Sequence, residues 1–127
     1  MQKINVHRYP LPGGWRILAG KSDQDNDTLS LKIARQNDIW FHVKGMSGSH
    51  VILQSDTDDK PDKALVKMAA SVAAWHSKGR TGGKVAVVYV QAKYVTKPKK
   101  AKSGTVQIRN EQVIMVKPAL PEIKELP

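Results

Sequence analysis

Only one stretch of this sequence has the length and spacing for a helix of several turns. Leu65, Met68, Ala69, Val72 and His76 recur at intervals of three and four, which places them on one helical face. Asp56, Asp58 and Asp59 precede that stretch, where acidic side chains suit the positive end of a helix dipole. Pro61 falls at or near the first turn, where its missing N–H is harmless. Ser77, Lys78 and Gly79 close the helix, with Gly79 read as the residue just past its end. The other apolar runs are short and punctuated by Gly, Pro, Asn and Asp, so most of them read as strands. Ile4 to Tyr9 and Trp15 to Ala19 flank Pro10-Leu11-Pro12-Gly13-Gly14 and read as a hairpin. Ile39 to Lys44 and His50 to Gln54 flank a Gly45 to Ser49 connection. Val85 to Val90 is apolar on both faces, as in a central strand, and Gln91 to Thr96 extends it. Thr105 to Ile108 and Val113 to Val116 read as a last hairpin, and Thr28 to Ala34 as a second, short helix. The sum is an α+β domain over residues 1–117: a mixed, largely antiparallel sheet of about seven strands with one main helix. Residues 118–127, with three prolines, read as a loose tail.

Composition excludes several functions. The chain of 127 residues contains no cysteine, so disulfides, thiolate metal sites and cysteine nucleophiles are impossible. No apolar run approaches the about 18 residues of a membrane-spanning helix, and Met1 to Pro10 lacks the apolar core of a secretory signal. A cytoplasmic protein is the expectation, and the initial Met1 favours a complete chain over a fragment.

Charge is the first pointer to a partner. The formal net charge is +10, and it is unevenly placed. Between Lys63 and Asn110 there are eleven basic residues and no acidic one. Such an excess calls for an anionic partner, with nucleic acid first and an anionic membrane surface second.

Three constellations could make that contact. Strand alternation through Ile39 to Lys44 puts Trp40, His42 and Lys44 on one face, suited to stack on a base, hydrogen-bond a base or phosphate, and pair with a phosphate. The following loop offers Ser47, Gly48, Ser49 and His50, with backbone N–H groups and hydroxyls able to cup a phosphate oxygen. The competing assignments are a core tryptophan and turn-satisfying Ser49 and His50. The second group is Lys78, Arg80 and Lys84 in a glycine-rich turn, which lacks the order of a nucleotide-binding P-loop. The third is a run with five lysines in ten residues, Lys93 to Lys102, in which Lys97, Lys99, Lys100 and Lys102 would contact phosphates without reading bases. Asp38, His42, Ser49 and His50 do not match a nucleophile elbow or a zinc motif. No enzyme activity, cofactor or metal is therefore expected.

Asp38-Ile39-Trp40-Phe41-His42-Val43-Lys44 followed by Gly48-Ser49-His50-Val51-Ile52-Leu53 resembles the signature of the NFACT-R family. Gly20-Lys21 followed by Asn26-Asp27 and Leu29, the helix Ala64 to Lys78, and Lys97 to Gly104 are similar to further family elements, so the resemblance spans about residues 4 to 117. Ser47 stands where the family often has proline, which loosens the loop. The resemblance implies an RNA-binding module with tRNA or ribosomal RNA, and the large ribosomal subunit, as its setting. Large members act in ribosome-associated quality control and carry further domains that 127 residues cannot hold. Two other readings stand beside it: an RNA-processing enzyme using His42, His50 or Asp38, and a module docking on an acidic ribosomal protein. The sequence leaves oligomeric state open.

Overall fold

The computed structural model describes residues 4–122. Six strands form one antiparallel sheet: β1 (Val6–Pro10), β2 (Trp15–Gly20), β3 (Ile39–Val43), β4 (Val51–Ser55), β5 (Val85–Gln91) and β8 (Gln112–Val116), in the order β1-β2-β4-β3-β5-β8. β6 (Val95–Thr96) and β7 (Gln107–Ile108) form a separate two-stranded sheet. Helix α2 (Lys63–Trp75) covers one face of the large sheet. Helix α1 (Asp23–Thr28), a following π turn (Leu29–Ile33) and the small sheet lie on the other. The architecture is the expected α+β class. No helix of the described residues is long and apolar enough to cross a membrane.

The two apolar layers follow from strand parity. Phe41 and Val43 of β3 join Ile17, Val51, Leu53 and Val87 beneath α2, whereas Trp40 joins Leu18, Leu29, Ile52 and Val90 on the opposite face. The buried side of α2 is Ala69, Ala70, Val72, Ala73 and Ala74. Alanines let the helix axis lie close to the sheet. That packing turns Met68, expected in the core, outward to 37% exposure.

Five local expectations are corrected. The short helix begins at Asp23 rather than Thr28, because Ser22 caps it by accepting the Asp25 N–H and Asp23 and Asp25 occupy its first turn. α2 begins after Pro61: Asp62 is its N-cap and accepts the Leu65 N–H at 2.9 Å. At its far end Ser77, not a left-handed Gly79, makes the cap, donating to Ala74 O and accepting the Gly79 N–H. β5 stops at Gln91 because Ala92 and Lys93 turn their N–H groups to Asp38 O and Gln36 O. Finally, Thr105 to Ile108 and Val113 to Val116 are no hairpin, since β7 pairs with β6 and β8 with β5. Of the segment read as a loose tail, Ala119 donates to Ser71 O of α2; residues 123–127 lie outside the described residues.

Candidate nucleic-acid interface

The β3–β4 connection is a shaped turn fastened to the end of α2. Gly45 takes the positive φ of 75° that reverses the chain. Ser49 N–H donates to His76 O, Lys78 N–H donates to Ser47 O, and Gly48 bridges Ser77. A Cβ on Gly48 would stand 2.9 Å from Ser77 Cβ and 3.0 Å from Val43 Cγ2. Gly48 is therefore required by the approach of the protein's own helix end, and its φ is not positive. His76 on that end stacks on His7 at 4.2 Å and meets the Tyr9 hydroxyl at 2.7 Å, which ties the turn to β1.

On the other side the turn is tied to the β2–α1 junction. Ser49 Oγ donates to Gly20 O at 2.6 Å, and His50 N–H donates to Asn26 Oδ1 at 3.0 Å. A Cβ on Gly20 would sit 2.1 Å from the same Asn26 oxygen. The glycine leaves the space that Asn26 fills, so these separated sequence elements form a single knot.

Behind the turn lies a buried polar network. Trp40 Nε1–H donates to Ser30 Oγ at 2.9 Å, and that hydroxyl meets His50 Nδ1 at 2.8 Å. His42 and His50 stand edge to face at 5.4 Å. Burial, with the neighbouring His42, pushes His50 down to about 4 against the opposing pull of Asp27 and backbone at Gly104 and Asn26. Burial also lowers His42, against backbone hydrogen bonds at Gly48 and Val43. Both rings are neutral at pH 7. Trp40 is 2% exposed and His50 3%, so neither presents a face to a base; they hold the turn from within. Asp38 is also buried, accepting from Arg35 N–H and Gln54 Nε2 at the far end of β3, and is not brought to His42 or His50.

In front of the turn is an open cleft of about 450 Å³. It brings together Ser47, Gly48, Ser49, Lys78 and Arg80 from the expected set. It adds residues the sequence reading did not place there: Lys21, Ser22, Ser77 and Trp75, together with Asp23. Arg80 lies over the Trp75 ring at 3.9 Å, which fixes the guanidinium plane at the rim. Lys21 could have been found, because it follows the Gly20 on which the knot turns. Trp75 and Ser77 gave no signal, since only the docking of the α2 terminus brings them forward. Lys44 and Lys84 are exposed but do not line the cleft.

The lysine loop is arranged differently. Lys97 Nζ pairs with Asp27 Oδ2 at 3.1 Å and donates to Lys102 O and Thr105 O. Gly104 N–H donates to Asp27 Oδ1. Lys97 thus braces the loop from within the chain. Lys99, Lys100 and Lys102 are exposed. Among the described residues no group of three or more His, Asp or Glu could hold a metal ion.

Residues 5–110 match the family model described as NFACT protein RNA binding domain. The chain is 36% identical over 113 residues to the Rqc2 homolog RqcH of Bacillus subtilis (strain 168), covering 89% of this chain and 19% of that protein. It is 36% identical over 110 residues to the Rqc2 homolog RqcH of Streptococcus suis (strain 05ZYH33), covering 87% of this chain and 20% of that one. This chain therefore spans about a fifth of the length of these curated relatives. Among solved structures, the C-terminal part of the fibronectin/fibrinogen-binding protein from Streptococcus suis matches with a TM-score of 0.84 and 34% identity, covering 94% of this chain and 47% of that chain. The match to the family model contains the Gly20–Asn26 knot, the β3–β4 turn and the Asp27–Lys97 brace, and the chain belongs to the NFACT protein RNA binding domain family.

Proposed function

We propose that this domain binds tRNA or ribosomal RNA through the cleft between the β3–β4 turn and the end of α2, in a ribosome quality-control setting. The observation that carries the reading is that Lys21, Lys78 and Arg80, from separate parts of the chain, line one open cleft with Ser22, Ser47 and Ser77. A cluster of cations at a polar cleft, with the Arg80 guanidinium held over Trp75, suits a phosphate–sugar segment. Lys44 and Lys84 supply charge outside the cleft, and Lys99, Lys100 and Lys102 form an outer contact. His42, half-buried and neutral, contributes hydrogen bonding rather than charge. Trp40, Gly48, Ser49 and His50 act as positioning residues that hold the turn in shape. The ribosomal setting rests on the RqcH relatives, and RNA as the ligand on the family description.

The test is RNA affinity across a salt series. Replacing Lys21, Lys78 and Arg80 together with Ala should reduce the slope of log K against log salt by about 2–3, at about 0.7–0.9 per lost phosphate contact. An unchanged slope in a variant that melts normally sinks the cleft as the binding site. Affinity that resists RNase treatment of ribosomes would point instead to a protein partner.

A further inference from the structure

The two edges of the large sheet are finished in different ways. β1 carries Arg8 and Pro10, residues that discourage a further strand. β8 reads Gln112-Val113-Ile114-Met115-Val116, with no charge or proline inside it. Val113 is 49% exposed and Met115 55%, the highest exposures among the large apolar side chains of the described residues.

Register shows how this edge is armed. Lys44 N–H donates to Ala86 O, so Ala86 turns its polar groups toward β3 and away from β8. Met115 is the residue paired with Ala86. Its own N–H and C=O therefore point outward, and by alternation so do those of Glu111, Val113 and Lys117. Ile114 and Val116 pack toward α2, so the outward-bonding residues place their side chains on the opposite face.

We propose that β8 pairs antiparallel with β8 of a second copy of this chain, about a two-fold axis through Ile114. In this register Val113 faces Met115 of the other copy, and Glu111 faces Lys117. Each of those pairs joins residues whose backbone groups point outward, so each exchanges two hydrogen bonds. The apolar pair lies on one face of a continuous sheet, flanked at both ends by an opposite-charge pair. Shifting the register by two residues in one direction sets Arg109 against Lys117, and in the other sets Val113 against Lys117. Only the proposed register matches charge with charge and apolar with apolar. Among the described residues neither Glu111 nor Lys117 has an ion-pair partner within the chain, and the β5–β8 register brings Lys84 beside Lys117. Glu111 of a second copy offsets that repulsion. A single strand pair buries on the order of 1,000 Å² or less, so the association is weak and reversible.

Sedimentation of the full chain over a concentration series tests this. The unsubstituted chain should show a reversible monomer–dimer equilibrium. Glu111→Lys and Lys117→Glu should each weaken it at least tenfold, and the chain carrying both substitutions should recover it. For the register, Val113→Cys and Met115→Cys chains are mixed under mild oxidation, which the cysteine-free background permits. Cross-linking between the two different chains should exceed that within either kind. A chain that stays monomeric into the millimolar range overturns the proposal. So does a dimer indifferent to both single charge reversals, or cross-linking that favours like chains. RNA affinity measured on the same variants separates this edge from the cleft, whose reading stands or falls on its own.

Discussion

The cleft and the lysine loop are both cationic, yet they hold their charges by opposite means. In the cleft the backbone is fixed first, through Ser49 to His76 and Lys78 to Ser47, and Lys21, Lys78 and Arg80 ride on that frame. In the loop a lysine is itself the frame, since Lys97 binds Asp27 and the carbonyls of Lys102 and Thr105. A basic run is therefore not a set of equivalent contacts. Some of its charges build the surface, and only the remainder face outward.

The largest effect should come from the network behind the cleft. Trp40→Ala removes a buried indole and its hydrogen bond to Ser30, and should cost about 3–5 kcal/mol of stability, read as a large fall in melting temperature. A tryptophan that stacked on RNA would leave melting unchanged and lower affinity alone. Such a result would move Trp40 from the frame to the surface.

The second effect is a pH dependence with a definite sign. His50 titrates at about 4 when folded, against 6.5 in an unfolded chain. Between those values the unfolded state binds more protons, so stability rises with pH. The contribution is complete above pH 6.5 and is lost as pH falls toward 4, by about 3 kcal/mol for the shift given. His42, also depressed by burial, acts in the same direction. Denaturant melts from pH 7 to 4 on the parent chain and on His50→Asn check this; equal slopes in the two would place the titration elsewhere.

These contrasts also show what the sequence could reveal. Strand parity separated Phe41 and Val43 from Trp40 and His42, and the structure puts those pairs on opposite faces of the sheet. Parity cannot say whether the second face is covered. The π turn after α1 and the small sheet cover Trp40, and nothing local to Trp40 announces them. The α2 face was misread at Met68 because periodicity marks apolar residues by kind, whereas an alanine surface lets the helix settle closer and rotates the bulky side chain out. Lys97 looked like its neighbours because its partner, Asp27, lies 70 positions away in the chain. What was legible is the turn itself: glycine and serine at fixed spacing signal a tight local geometry. Their reason, the approach of the α2 end and of Asn26, belongs to tertiary packing.

The brace offers the third break. Lys97→Met removes the partner of a half-buried carboxylate and should cost about 1–3 kcal/mol. Lys99→Ala, Lys100→Ala and Lys102→Ala should each stay within about 0.5 kcal/mol. Equal melting temperatures for all four would mean that Lys97 braces nothing.

The smallest effect should be the most informative about RNA. With Lys97 kept, replacing Lys99, Lys100 and Lys102 together by Ala leaves the loop folded and removes only outward charge. If these side chains touch phosphates, affinity falls by a similar factor for every RNA tried, and the salt slope declines by at most about 2–3. The cleft should behave otherwise. Its Arg80 guanidinium is held in one plane over Trp75, a geometry that can discriminate, so its substitutions should weaken some RNAs more than others. A loop variant that changes preference among RNAs, or a cleft variant that weakens all equally, would exchange the two roles. Neither result can come from charge count alone, because each variant removes three positive charges.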